Sequence, residues 1–527
     1  MSRSIIKKTV GIGSSTLLSR FFAYIREVLM IQFFGIGAVS DAFFIALRIP
    51  NSLRKVFAEG ALSSVLVPAL IHAERKDGEN GINRLLTLSF FMIELLVVLL
   101  VVGISWQADW IVHFSAPSAS EDLLKTSAQY VKILAPFILF LSSSSILAAA
   151  LQATHRLLLP GIAPAVLNCM YVGFLLLSLY FSWSVETFCW TMIYASIINM
   201  FIHLWVCAAY NFKFKLPEKE DWLALQHVLL QLLPCILSVG IGEINFLIDS
   251  RFASSLHSGT LSLLRYAYQF LNIPLGVIAT SLSMVLLPHF SRIDHSKKEL
   301  GIYLAEAVKF ITWIMLPIMM VMFYSSREIF ESMFFSNKFT IAHVFQAQSN
   351  LNAYLVGLTF FALEKILLNA FYALRSTGIA TVVAIVTTAL NYYMNQVLIG
   401  MYGGMGLALA TSLSAGIRVI IFIMILAYYF KINFNFADLS KLLRNYILQL
   451  MFVGAVFMTF ATIVSRIISS LTFSLIIGFG PMSLDLNPYF FLHSFGFWIW
   501  FGPLAGAFFF VLHASRKLFG VSFSYLD

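Results

Sequence analysis

Residues 10–35, VGIGSSTLLSRFFAYIREVLMIQFFG, are apolar enough and long enough to cross a bilayer, yet they carry Arg20, Arg26 and Glu27. The next such stretch, residues 39–72, carries Asp41, Arg48, Arg54, Lys55 and Glu59 and is bent by Pro50. A charged side chain at mid-membrane costs roughly 2.5–3.5 kcal/mol if it faces lipid. Eight of them would cost more than ~20 kcal/mol, beyond the net stability of a domain. These groups must therefore line a polar cavity or pair with one another. Cations outnumber anions five to three, so the cavity is expected to be positive and suited to an anionic cargo.

The remainder of the chain places those two segments in an all-α polytopic membrane protein. Hydrophobic residues make up 60% and charged residues 11% of 527, with a mean hydropathy of +0.87. A soluble globule carries about 25% charge. Windows of about 20 residues give fourteen expected spans, near 6–34, 39–72, 85–108, 128–153, 158–182, 187–210, 223–256, 260–290, 301–324, 345–374, 378–401, 404–430, 442–469 and 489–514. Arg3, Lys7 and Lys8 precede the first in the manner of a signal peptide, but no small-residue cleavage site follows, so it is expected to remain as a helix. Lys and Arg concentrate in alternate loops, among them Arg75, Lys76, Arg84, Lys213, Lys215, Lys219, Lys297, Lys298, Lys441 and Arg444. The opposite side holds only Lys125, Lys132, Arg327, Lys338 and Arg466. By the positive-inside rule both termini are expected in the cytoplasm. The net charge of +9 is then a topology signal, and no nucleic-acid partner is expected. Cys169, Cys189, Cys207 and Cys235 all fall in expected helices and read as small buried hydrophobes.

An internal echo occurs at an offset of 220 residues: Ser63–Pro68 against Ser283–Pro288, and Ile146, Leu147, Ala150 and Ala153 against Ile366, Leu367, Ala370 and Ala373. It implies two six-helix lobes, 1–210 and 211–430, with two further helices in 431–527. Transporters place substrate between such repeats.

On a helical wheel Asp41, Arg48, Lys55 and Glu59 fall within about 40° of one another, a polar stripe from which Arg54 stands apart. Two readings stay open for these charges. They form internal salt bridges, such as Arg48 with Asp41, or a phosphate clamp, because guanidinium grips phosphate oxygens bidentately and stays charged when desolvated. Asp249 on the seventh helix, Asn391 and Asn395 on the eleventh and Thr411 on the twelfth supply the hard oxygen ligands of a possible sodium site. Buried asparagines more often bond to other helices. Glu364, Lys365 and Arg418 read as structural pairs or helix-end groups. There is no His-Glu-x-x-His, Gly-x-Ser-x-Gly or P-loop, so no enzyme and no cofactor beyond a monovalent cation is expected.

The stretch 19–70, with DAFF at 41–44, IPNSLRK at 49–55 and FAEGA at 57–61, resembles the MurJ (MviN) family of lipid II flippases, in the MOP exporter superfamily. The resemblance implies transport of undecaprenyl-pyrophosphate-linked disaccharide-pentapeptide (lipid II) from the inner to the outer leaflet of the bacterial inner membrane, for peptidoglycan synthesis. It also implies a monomer embedded among membrane lipids, the polyprenyl tail running along a groove formed with the last two helices. By motif, the family's functional arginines fall on Arg20, Arg26 and Arg54, and its acidic positions on Asp41 and Glu59. A fourth arginine, before a proline on the eighth helix, is replaced by Gln269, and Arg265 lies one turn earlier. The sodium site of some members falls near Asp249, Asn391, Asn395 and Thr411, its second carboxylate being Asn395. The rivals are another MOP exporter of a lipid-linked oligosaccharide and a membrane enzyme of lipid-linked sugars.

Overall fold

The computed structural model describes residues 22–57, 61–156, 158–283, 297–374, 376–432, 436–478 and 495–521, with single positions at 286, 290 and 434. Regular structure among them is helical, apart from an isolated bridge between Ser336 and Phe339. The chain divides into two compact units, Met1–Ser262 and Leu263–Asp527.

In the first unit, α1 covers 22–34, followed by α2 (Ala38–Phe57), α3 (Ala61–Trp106), α4 (Ala108–Ser115), α5 (Glu121–Leu134) and α6 (Phe137–Ala153). Next come α7 (Leu158–Tyr180), α8 (Val185–Ala209) and α9 (Lys219–Ala253). Helix α3 absorbs the expected loop near residue 80 and continues into the third span through a kink at Gly78 (φ 61°, ψ −145°). That φ is left-handed, so a side chain there would be strained. Helices α5 and α6 form one apolar span, Glu121–Ala153, interrupted at Ala135 and Pro136. Ser120 starts α5 by accepting the Leu123 N–H, with Glu121 and Asp122 set against the positive helix end. Ser184 does the same for α8 through Thr187. The core lies where α3, α6 and α9 meet: Leu66, Leu85 and Val97 against Ile146, Ala149 and Ala150, with Leu225 and Val228 alongside. Small alanines let the α6 backbone come close to α3, where dispersion replaces the hydrophobic drive that lipid does not supply.

Helix α10 (Thr260–Pro274) begins at the end of the first unit and runs into a π-helical turn, Leu275–Ala279. The second unit continues with α11 (Lys297–Tyr324), α12 (Ser326–Phe334), α13 (Ile341–Val356), α14 (Leu358–Ala373), α15 (Thr377–Tyr402) and α16 (Gly404–Met424). A second π-turn (Ile425–Tyr429), α17 (Phe436–Gly478) and α18 (Phe495–Ser515) complete it. The expected tenth span is a bent pair, α13 and α14, meeting at 42°. At the bend a Cβ on Gly357 would stand 2.8 Å from the Ser412 Cα, so only glycine lets α16 approach there. Helices α17 and α18 pack through Tyr446, Phe457, Phe501 and Phe508, while Ile499 and Phe510 of the same α18 stand outward, each 72% exposed. A helix with large apolar groups on both faces is built to meet lipid on one of them.

Nine helices among the described residues are long and apolar enough to cross a membrane, or ten with the bent pair. This is an all-α multi-pass membrane protein. Most of the expected first span, and residues 58–60 and 291–296, lie outside the described residues. Of the cysteines, Cys189 and Cys207 are buried as expected, Cys169 is exposed on α7, and the Cys235 side chain falls outside the described set.

Candidate substrate-binding site

Helices α1 and α2 carry the charged residues singled out above. On α1, the Arg26 Nη2 donates to Glu27 Oε1 at 2.6 Å and its Nη1 to Asn168 Oδ1 at 2.7 Å on α7. Short charge-assisted bonds of this kind are about twice as strong as neutral ones. Asn168 is itself oriented, its Nδ2 donating to the Pro164 carbonyl one turn back. Glu27 is buried, whereas the Arg26 side chain keeps 23% exposure. The Arg26 Nε–H is buried and has no hydrogen-bond partner among the described residues. The guanidinium is thus positioned and charge-balanced, with donor capacity left over for an anion.

Asp41 is arranged differently. Its carboxylate accepts the Gly259 N–H at 2.6 Å, the Ser262 N–H at 3.0 Å and the Ser262 hydroxyl at 2.5 Å. Ser40 supports the arrangement, its Oγ 2.9 Å from Ser262 Oγ and donating to the Gly37 carbonyl at 2.8 Å. Thr260 begins α10, so Asp41 caps a helix N-terminus, where orphan N–H groups and the helix dipole favour a negative charge. The expected bridge between Arg48 and Asp41 does not form, because backbone amides already occupy the carboxylate. Arg48 is half-buried on α2. Arg20 and Glu59 lie outside the described residues, as does the side chain of Arg54, whose backbone is helical in α2. Arg265 and Gln269 are one turn apart on α10, both half-buried.

The candidate cation ligands are spread over both units. Asp249 is buried near the end of α9 in the first. Asn391 and Asn395 are buried on α15 in the second, where the Asn395 Nδ2 donates to Asn391 Oδ1 at 3.1 Å. Thr411 on α16 donates back to the Leu407 carbonyl. No group of three or more His, Cys, Asp or Glu comes together as a metal site among the described residues.

Three polar arrangements went unread in the sequence or were read only in outline. The pair Glu364–Arg418 forms at 2.6 Å, with Arg418 Nε also donating to Thr387 at 2.7 Å, joining α14, α16 and α15 as a structural pair. In the first unit Arg84 contacts Asp77, Glu218 and Asp221, and Lys76 contacts Glu220, tying the start of α9 to the corner of α3. Glu94 is buried on α3 against Ser142 of α6. Its sequence signal was a lone carboxylate inside the apolar run 85–106.

With this geometry in hand, comparison with known proteins is specific. Residues 30–479 match the family model "Lipid II flippase MurJ". The chain is 32% identical over 454 residues to the probable lipid II flippase MurJ of Buchnera aphidicola subsp. Schizaphis graminum, covering 84% of this chain and 87% of that protein. In fold it is similar to a solved lipid II flippase MurJ in an inward closed conformation, with a TM-score of 0.75 and 22% identity over 96% of this chain and 99% of the other. It also resembles an inward-facing multidrug resistance MATE family transporter of the MOP superfamily, with a TM-score of 0.66 and 13% identity over 80% of this chain and 96% of that one. The charged α1–α2 segments, the helical architecture and these matches agree, and the chain belongs to the lipid II flippase MurJ family.

Proposed function

We propose that this protein is a transporter that moves lipid II from the inner to the outer leaflet of the bacterial cytoplasmic membrane by alternating access, without catalysing a reaction. Family membership across residues 30–479 carries the reading. The geometry of Arg26 supports it: a guanidinium held by Glu27 and Asn168, its side chain 23% exposed and with N–H donors beyond those two bonds, is suited to a pyrophosphate oxygen. Arg20 and Arg54 are the further members of this clamp, with Arg265 in the place of the arginine that Gln269 lacks. Asp41 contributes by holding the start of α10, and Arg48 and Glu59 complete the charge balance of the α1–α2 segments.

The offset-220 echo supports two related lobes, 1–210 and 211–430, with 431–527 as two added helices. The Lys and Arg distribution supports cytoplasmic termini. The protein works as a monomer, and the set Asp249, Asn391, Asn395 and Thr411 is an accessory cation site at most. The test is leaflet transfer of labelled lipid II in vesicles containing only this protein. Transfer without change of the lipid supports the flippase. A chemically altered lipid would establish an enzyme, and transfer of other lipid-linked oligosaccharides at equal rate would establish a different exporter.

A further inference from the structure

Glu94 belongs to none of the machinery described so far. It lies ten residues beyond Arg84 and twelve before Trp106, the latter 81% exposed. At 1.5 Å per residue this places it roughly 15 Å from the charged cluster and about 18 Å from the other end, near the middle of a bilayer of about 30 Å. Its Oε1 is 2.7 Å from the Ser142 hydroxyl, and its Oε2 is buried with no hydrogen-bond partner among the described residues. The same Ser142 hydroxyl is 2.9 Å from the Leu139 carbonyl.

A serine hydroxyl has one hydrogen, so Ser142 can donate to only one acceptor at a time, and its shorter contact is to Glu94 Oε1. Oε2 is left buried with no partner among the described residues, a setting that disfavours the charged form of the carboxyl group.

The surroundings agree. No Lys or Arg among the described residues forms an ion pair with Glu94, and the polar groups facing it from α6 are the hydroxyls of Ser142 and Ser143. Helix α6 has no charged residue. On the other helices packed against α3, the described charged groups apart from Arg48 are engaged elsewhere or lie near helix ends. Lys132 of α5 is bound to Asp109 of α4, and Asp221 of α9 to Arg84. Asp41 of α2 is bound to Gly259 and Ser262, Arg48 is half-buried, and His227 of α9 bonds to the Leu223 carbonyl. Asp249 and Arg251 lie near the end of α9, and Glu121, Asp122, Lys125 and His113 near the ends of α5 and α4. A buried carboxylate with no counter-ion neutralises itself by taking up a proton.

We propose that Glu94 is a proton-binding site midway across the membrane in the first unit, protonated in this conformation and exchanging with water only when the seam between α3 and α6 parts, so that transport includes a protonation step. The last part rests on the flippase reading, and the site itself does not. Infrared spectra of the purified full-length protein in lipid nanodiscs at neutral pH should show a protonated-carboxyl band that Glu94→Gln removes. Ser142→Ala should shift that band, which no carboxyl elsewhere would do. Glu94→Gln keeps an acceptor for the Ser142 hydroxyl, so it should fold normally and should flatten the pH dependence of lipid II transfer in vesicles. A band absent from the wild type, or one present but unmoved by Ser142→Ala, overturns the site, whether or not Glu94→Gln folds. A pH profile unchanged in Glu94→Gln overturns the coupling. Wild-type vesicles that move no lipid II would sink the flippase reading and leave the infrared result to judge the site.

Discussion

The Arg26 Nη1 donates to Oδ1 of Asn168 at 2.7 Å, linking two helices 142 residues apart in sequence. This contact aims a guanidinium that would otherwise pivot on its bond to Glu27 alone. A hydrogen bond to a charged group contributes about 1.5–3 kcal/mol, so Asn168→Ala should slow lipid II transfer roughly tenfold or more with unchanged protein level. Arg26→Ala should abolish transfer, and Arg26→Lys should also fail because an ammonium lacks the planar fork. Initial rates in vesicles decide. Wild-type rates in Asn168→Ala beside a dead Arg26→Ala would mean that Arg26 is aimed by other contacts.

Asp41 should behave as a stability residue. Asp41→Ala strips acceptors from the Gly259 and Ser262 amides, and each buried unsatisfied group costs about 1–3 kcal/mol. The thermal midpoint in detergent should fall clearly for Asp41→Ala and less for Asp41→Asn, which keeps one acceptor. Arg26→Ala should lower the midpoint too, because it leaves the buried Glu27 without its cation. Equal midpoints for Asp41→Ala and wild type would count against the capping role.

The substitution at Gln269 makes a direct experiment possible. If Arg265 serves in its place, Arg265→Ala should lose as much transfer as Arg54→Ala, and adding Gln269→Arg should restore part of it. Full transfer by Arg265→Ala would show that Arg20, Arg26 and Arg54 suffice.

Glu364 and Arg418 form a part-buried pair, with side-chain exposures of 23% and 14%. Removing one partner of a buried pair costs about 3–5 kcal/mol, and residual exposure puts Glu364→Ala at or below the low end of that range. Replacing both by apolar residues of similar size should recover most of the loss. Midpoints from a double-mutant cycle would show it, and additive losses would contradict the pairing.

For the driving force, charge arithmetic favours voltage. Moving an anion outward is favoured by an inside-negative potential by roughly 2.3 kcal/mol per charge per 100 mV. A pyrophosphate of about two charges gains ~4–5 kcal/mol by the same arithmetic. Asp249→Asn should therefore slow but not abolish transfer, and exchanging sodium for potassium should matter little. Collapsing the potential with a potassium ionophore should stop it. Full transfer without a potential, with strict dependence on sodium, would reverse this conclusion.

Local chemistry made much of this protein legible without coordinates. Apolar runs of bilayer length marked helices because a backbone in lipid must bond within itself. Arg26 stood out because an uncompensated charge in an apolar helix needs a reason, and its motif carried the family. Glu364 and Arg418 could be anticipated as structural by the same rule. Partners were another matter. Asn168 bonds Arg26 across 142 residues and Ser262 bonds Asp41 across 221, distances over which no periodicity speaks. Asp41 and Arg26 look alike on a sequence line, each a charge in an apolar context. Packing alone put one against two backbone amides and a hydroxyl and left the other partly exposed with donors to spare. The bend at Gly357 and the setting of Glu94 were decided in the same way, by the atoms that folding brought near: the Cα of Ser412 in one case, the hydroxyl of Ser142 in the other. The sequence by itself determined which groups had to escape lipid. Only the tertiary structure decided where each would go, because hydrogen bonds and burial depend on distances of a few ångströms that chain order does not encode.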